Sequence, residues 1–151
     1  MNTINPDNRR IVEALFGQAG FIRSLGLELA AIESGRAETR LTVRNDHLQQ
    51  DGYIHAGVQA TVADHTAGAA AATVMAAGCR VLTVEFKINL LRPALGEQLF
   101  CRAGLLRAGR QLSVAEAEVY GVAADGERRL TAKATVTLVA QPIAGLSGTQ
   151  S

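Results

Sequence analysis

The sequence predicts an α+β domain in which an antiparallel sheet of long strands packs on one long buried helix, with a short helix ahead of it. Three observations predict it. Several segments alternate apolar and polar residues strictly, which is the signature of half-buried strands. One stretch, 58–77, is built almost wholly of Ala, Gly, Val and Thr and is apolar on nearly every face, which marks a helix buried all round. Short turn signals join the strands pairwise, so neighbouring strands run antiparallel.

The elements follow in order. Asn5, Pro6, Asp7 and Asn8 supply capping residues, and Ile11, Val12, Leu15 and Phe16 follow at helical spacing, predicting a helix that ends near Gly17 or Gly20. A first strand is predicted over 27–33, then a turn at Ser34-Gly35. The next strand, 36–44, sets Ala37, Thr39, Leu41 and Val43 against Arg36, Glu38, Arg40, Thr42 and Arg44. The polar stretch 45–52 reads as a loop leading to Gly52-Tyr53-Ile54-His55-Ala56-Gly57, a turn that opens the small-residue helix; Gly78 closes that helix. In the strand predicted over 79–93, Leu82, Val84, Phe86, Ile88 and Leu90 face one way and Thr83, Glu85, Lys87 and Asn89 the other. Two further strands, 97–107 and 110–122, meet at Ala108-Gly109. An Asp125-Gly126 signal then leads into the last, 128–139, with Leu130, Ala132, Ala134, Val136 and Leu138 on one side. The chain divides into a lead-in over 1–24, a core domain over 25–140 and a tail over 141–151. A single helix covers one face of such a sheet, so association with a second copy is expected.

Composition narrows the function. At 151 residues the chain fits one domain. A formal net charge of +1 carries no electrostatic footprint for nucleic acid. No apolar run is long enough for a membrane span, and the N-terminus lacks the basic and apolar regions of a signal peptide. Cys79 and Cys101 read as buried free thiols, and the expected location is the cytoplasm.

The chemical clue is Asp64. A carboxylate inside an apolar helix is costly to bury unless something pairs with it or uses it. His47, His55 and His65 do not fall at metal-ligand spacings, so no metal is expected. His65 follows Asp64 directly and points about 100° away from it, which makes it a packing or interface residue. Gly145-Leu146-Ser147-Gly148 has the wrong spacing for a nucleophile elbow, and no glycine-rich phosphate loop is present.

Four stretches, in this order and spacing, carry a resemblance: His55-Ala56-Gly57; Asp64 in the central helix; Thr83-Val84-Glu85-Phe86-Lys87-Ile88-Asn89-Leu90-Leu91-Arg92-Pro93-Ala94; and Arg107-Ala108-Gly109-Arg110-Gln111-Leu112. Over roughly residues 25–139 the chain resembles the PaaI-type hot-dog acyl-CoA thioesterases. It departs from the commoner family pattern in having Ala56 between His55 and Gly57, and Gln49 where Asn is frequent. The resemblance implies the hot-dog fold, with the sheet wrapped around the helix, and hydrolysis of an acyl-CoA to free acid and CoA without a cofactor. It makes Asp64 the general base or the nucleophile, Gly57 the backbone donor to the oxyanion, His55 the residue that orients the turn, and Gln49 and Thr83 the polar groups that position water or carbonyl. Tyr53 and Gly68 would border the acyl pocket. Arg92, Arg107 and Arg110, with Arg80, are the candidates for the CoA phosphates, since the guanidinium fork suits phosphate. The resemblance also implies a homodimer whose two sheets join edge to edge, with Asp64 of one subunit facing His55 and Gly57 of the other, and a dimer of dimers beyond that. The competing readings are a non-catalytic acyl-CoA-binding or regulatory module on the same fold, and a hydratase. The adjacency of Asp64 and His65 does not suit the hydratase.

Overall fold

The structure is a computed structural model that describes residues 3–145. Helix α1 (Pro6–Gly17) starts as expected: Asn5 Oδ1 accepts the Asp7 N–H at 2.9 Å, and Pro6 occupies a first-turn position where no N–H is needed. A second helix follows, α2 (Gly20–Leu25), where the sequence predicts only a lead-in. Six residues are too few to display a helical period, but Ile22 and Leu25 are buried, and Gly26, at φ 84°, ends the helix in the left-handed conformation.

Strands β1 (Leu27–Glu33) and β2 (Arg36–Thr42) form the first hairpin. The central helix α3 (Ala56–Ala72) precedes β3 (Cys79–Leu90), β4 (Gln98–Ala108), β5 (Leu112–Val122) and β6 (Arg128–Pro142). All pairings are antiparallel, in the order β1-β2-β4-β5-β6-β3, so β1 and β3 are the edges. Helix α3 lies across one face of this sheet, against β2, β4, β5, β6 and β3. Its small side chains allow close approach: a Cβ on Gly68 would lie 4.0 Å from Leu138 on β6. Both thiols are free, with Cys101 fully buried; burial pushes its thiol up to about 12, so Cys101 is inert.

Two features depart from the expected pattern. Helix α3 stops at Ala72 rather than near Ala77, although the apolar run continues. Thr73 Oγ1 donates to Ala70 O at 2.7 Å and accepts the Gly35 N–H at 2.7 Å, while Asn8 Nδ2 donates to the carbonyls of Thr73 and Met75. These bonds satisfy the helix end, so further turns are not required.

The second departure is a bulge in β3. Thr83 pairs with Leu138 and Glu85 with Thr137, which leaves Val84 as an extra residue. Antiparallel partners share a face. Thr83 therefore lies on the helix side of the sheet, as do Phe86, Ile88 and Leu90, paired with Val136, Ala134 and Ala132. The unbroken alternation read from the sequence does not hold across residue 84. A similar irregularity in β6 pairs Leu130 with the outer-face Tyr120, so Leu130 leaves the apolar row it was assigned to. The last strand extends to Pro142, two residues into the stretch read as tail; residues 146–151 lie outside the described residues.

His65 is a packing residue, as predicted. Its ring meets Phe16 edge-on with centroids 4.8 Å apart, and Nε2–H donates to Leu15 O at 2.9 Å, tying α1 to α3. Burial lowers its pKa from the ordinary 6.5, against smaller opposing pulls from Leu15 O and Asp64. The folded protein thus holds the ring neutral where the unfolded chain would already protonate it. This stabilisation is complete above the unfolded value and declines as pH falls through about 6.5 towards the lower folded value. Melting curves between pH 8 and 5 are expected to fall less steeply for His65→Gln than for the wild type. Parallel curves would remove His65 as the source.

Candidate active site

The site is built at the N-terminus of α3. His55 is the N-cap, with φ −59° and ψ 139°, and its Nδ1 accepts the Gly57 N–H at 2.8 Å. This bond commits Nδ1 as an acceptor. Glycine at 57 leaves the ring its seat, since a Cβ there would lie 3.0 Å from Nδ1. The N–H groups of Val58 and Gln59 point at His55 O, at 3.0 and 3.3 Å. Of the first-turn amides, the N–H of Ala56 has no acceptor among the described residues. The sequence gives the oxyanion donor role to Gly57, whose N–H donates to His55 Nδ1 in the single chain. Among the described residues only glycines have positive φ, so Ala56 takes the place of the commoner glycine without backbone strain.

The turn is clamped from both sides. Ile54 N–H donates to Ala94 O at 3.0 Å and His55 N–H to His47 O at 2.9 Å. His47 is buried and saturated: Nε2–H donates to Leu25 O at 2.8 Å and Nδ1 accepts the Arg44 N–H at 3.0 Å. This ring pins the loop to the end of α2. Nothing in the spacing of the polar stretch 45–52 separates His47 from its solvated neighbours. Gln49 turns back on its own loop, where Oε1 accepts the N–H groups of Asp51 and Tyr53. Its carbonyl therefore shapes the 49–53 turn, although the residue still borders the cavity beside His55.

Asp64 lies two turns further along α3. It is half-buried in the single chain, less enclosed than its apolar neighbourhood in the sequence implies. Thr83 Oγ1–H donates to Asp64 Oδ1 at 2.6 Å, joining α3 to β3. The bulge at Val84 makes this contact possible by keeping Thr83 on the helix side while the strand continues with Phe86, Ile88 and Leu90. Eight residues separate Ala56 from Asp64, about 12 Å along a helix.

A cavity of ≈ 630 Å³ opens at the turn, bordered by His55, Ala56, Gln59, Leu90 and Leu91 among others. It shares Tyr53, Arg92 and Pro93 with a second cavity of ≈ 440 Å³ that continues towards Leu95 and Arg129. Tyr53 and Arg92 thus stand beside the turn. Arg107 and Arg110 do not: they lie at the β4–β5 hairpin, at the far end of the sheet. Gly68 is buried against Leu138 and borders neither cavity. Gln59, which the sequence does not single out, is 3% exposed, and its buried Oε1 has no hydrogen-bond partner among the described residues, a state that costs about 1–3 kcal/mol.

Residues 51–122, from the turn through β5, match the family model described as thioesterase superfamily. A crystal structure of a thioesterase family protein from Silicibacter pomeroyi is 38% identical and superposes with a TM-score of 0.87, over 90% of this chain and 99% of that one. The chain belongs to the thioesterase superfamily. This thioesterase is also similar to human acyl-coenzyme A thioesterase 13, at 27% identity over 143 residues, covering 93% of this chain and 94% of the human one. The E. coli PaaI protein of the phenylacetic acid degradation operon shares its fold, with a TM-score of 0.77 at 19% identity over 95% and 98% of the two chains. The hot-dog fold, the family and the class of thioester hydrolase expected from the sequence all hold. Among the described residues, no helix of the thioesterase is long and apolar enough to cross a membrane.

Proposed function

We propose that this thioesterase hydrolyses acyl-CoA thioesters to free acid and CoA, in sites shared by two copies of the chain. One observation carries the reading. The uncommitted Ala56 N–H and the Thr83-held carboxylate of Asp64 suit the two halves of thioester hydrolysis, yet stand about 12 Å apart on one helix. A second chain supplies the missing half.

The edge strand β3 supports the pairing. It bears Thr83, and Leu82, Val84, Phe86 and Leu90 on it are 44–57% exposed. Antiparallel pairing of two β3 edges continues the sheet through both subunits. It also reverses one chain relative to the other, so the Arg107–Arg110 hairpin of one copy comes to the same end of the joint sheet as Tyr53 and Arg92 of its partner. In this arrangement the arginines, separated in one chain, serve one CoA nucleotide by their affinity for phosphate.

The reaction then follows. The thioester carbonyl oxygen rests on the Ala56 N–H at the positive end of α3, where a donor of this kind is worth about 3 kcal/mol once the oxygen becomes an oxyanion. Asp64 from the facing subunit takes a proton from water as the water oxygen attacks the carbonyl carbon. The tetrahedral intermediate collapses, the C–S bond breaks, and the thiolate of CoA leaves and is protonated. The alternative course has Asp64 attack directly, giving an anhydride that water opens. In both, the Thr83 hydrogen bond fixes the carboxylate, and His55, its Nδ1 engaged by the Gly57 N–H, holds the turn. No cofactor takes part, and a reducing cytoplasm suits the two free thiols. A non-catalytic binding module would gain nothing from a carboxylate held by a dedicated hydroxyl.

The test is release of CoA thiol from a panel of aryl- and fatty-acyl-CoA esters. Turnover of at least one is expected. No turnover of any would reject the proposal.

A further inference from the structure

The cavity of ≈ 440 Å³ beyond the site is unused by the chemistry above. It opens from the site cavity past Tyr53, Arg92 and Pro93 and has the size of a small-ligand pocket. Its frame is rigid. The chain leaving β3 crosses the end of the sheet and is fastened there, with Leu91 N–H donating to Thr131 O at 2.8 Å and Glu97 N–H to Val122 O at 2.9 Å. Gly121 lets the two backbones touch, since a Cβ there would collide with Leu95 O. The hollow between the side chains of Tyr53 and Leu95 is therefore preformed, and these walls are 38% and 60% exposed.

The charges bordering this cavity are two guanidinium groups against one carboxylate. Arg129 Nε donates to Glu127 Oε1 at 3.2 Å, in an exposed pair of the kind that separates readily. The Arg92 guanidinium has no carboxylate partner among the described residues. The depression on the outer face of the sheet has the opposite balance, with Glu38, Glu116 and Glu118 against Arg36 and Arg102. Excess positive charge beside apolar walls suits an anion carried on a flat apolar group. A lone carboxylate would compete with Glu127 on equal terms. A phosphate monoester carries about −1.5 to −2 charge at pH 7 and can engage both guanidinium forks. An acyl-CoA has one such group, the 3′-phosphate, borne beside the adenine ring.

We propose that this cavity holds the 3′-phosphoadenosine end of the substrate, with adenine against Tyr53 and Leu95 and the 3′-phosphate between Arg92 and Arg129. This rests on the acyl-CoA reading above, and it brings in Arg129 and Glu127, to which that reading gives no part. Glu127 holds Arg129 while the cavity is empty and gives it up to the phosphate.

The experiment titrates CoA, dephospho-CoA and adenosine 3′,5′-bisphosphate calorimetrically into wild type, Arg129→Met, Glu127→Gln and Tyr53→Ala at one fixed low ionic strength. Wild type is expected to bind CoA about tenfold more tightly than dephospho-CoA. Arg129→Met should lose that preference by weakening CoA and the bisphosphate alone. Glu127→Gln, which removes the competing carboxylate, should tighten both about two- to fivefold and leave dephospho-CoA unmoved, a gain that a merely structural role would not produce. Tyr53→Ala should weaken all three alike, by at least about fivefold, through the base. Equal affinity of wild type for CoA and dephospho-CoA, or equal losses of the two in Arg129→Met, overturns the proposal. So does an Arg129→Met effect confined to the KM of succinyl-CoA, which would give the cavity to a carboxylate on the acyl group. Hydrolysis of acyl-CoA esters without any 3′-phosphate preference overturns this proposal and leaves the proposed function standing. The expected preferences in an enzyme that hydrolyses no ester leave the cavity assigned and reject the proposed function.

Discussion

Ala56→Pro is expected to abolish most of the activity while leaving the fold intact. Proline removes one atom group of interest, the Ala56 N–H, and the site tolerates it for reasons visible in the backbone. Residue 56 is the first residue of α3, where a missing N–H breaks no helical hydrogen bond. The residue before a proline must be extended, and His55 already is, with ψ 139°. The Gly57 N–H cap on His55 Nδ1 is untouched. We expect kcat to fall about 10²- to 10³-fold, the range for loss of one oxyanion donor. The melting temperature should be unchanged or raised, because proline restricts the unfolded chain. Ala56→Gly keeps the N–H and serves as the control, with activity near wild type. An active Ala56→Pro enzyme would return the oxyanion role to another group.

Asp64→Asn is expected to cost at least about 10²-fold in kcat, in keeping with loss of a general base. The asparagine oxygen still accepts from Thr83, so the α3–β3 link survives and folding should not change. An unaffected kcat would remove Asp64 from the chemistry. The two variants together test how the site is divided. If Ala56 and Asp64 act across subunits, a mixed dimer of Ala56→Pro and Asp64→Asn chains holds one site with both defects and one with neither. Refolding the two together in equal amounts should restore about a quarter of wild-type activity, since half the dimers are mixed and each has one sound site of two. Sites contained within one chain would give no recovery.

Much of the fold was legible because burial imposes a period. In β2, Ala37, Thr39 and Leu41 alternate with charged neighbours, and the structure buries the predicted row. In β3 the same rule failed, for a physical reason. An edge strand that exposes apolar residues on both faces keeps its alternation whether or not a residue is bulged, so Val84 left no mark. The end of α3 was hidden likewise, because Thr73 is terminated by Asn8, a residue 65 positions away. For the candidate site, motif and position single out Asp64, Thr83, His55, Tyr53 and Arg92. The assignment of Gly57 rested on its being the glycine of the turn, and only the ring of His55 reveals that its N–H is occupied. Gln59 was legible by the argument applied to Asp64, a polar side chain in an apolar helix. It was passed over because an amide lacks the charge that makes burial conspicuous.

The exposed edge of β3 has a consequence beyond catalysis. Leu82, Val84 and Phe86 border a row of unpaired backbone N–H and C=O groups, with Glu85 and Lys87 as the nearby charges. Such an edge is a template for any other strand until its own counterpart arrives. On the proposed β3–β3 pairing, a newly made chain has a period of vulnerability set by how soon it meets a second copy. Substitutions that weaken this encounter should appear first as poor yield and precipitation, and only afterwards as slow turnover. In this thioesterase, solubility and the completion of the active site would depend on the same dozen residues.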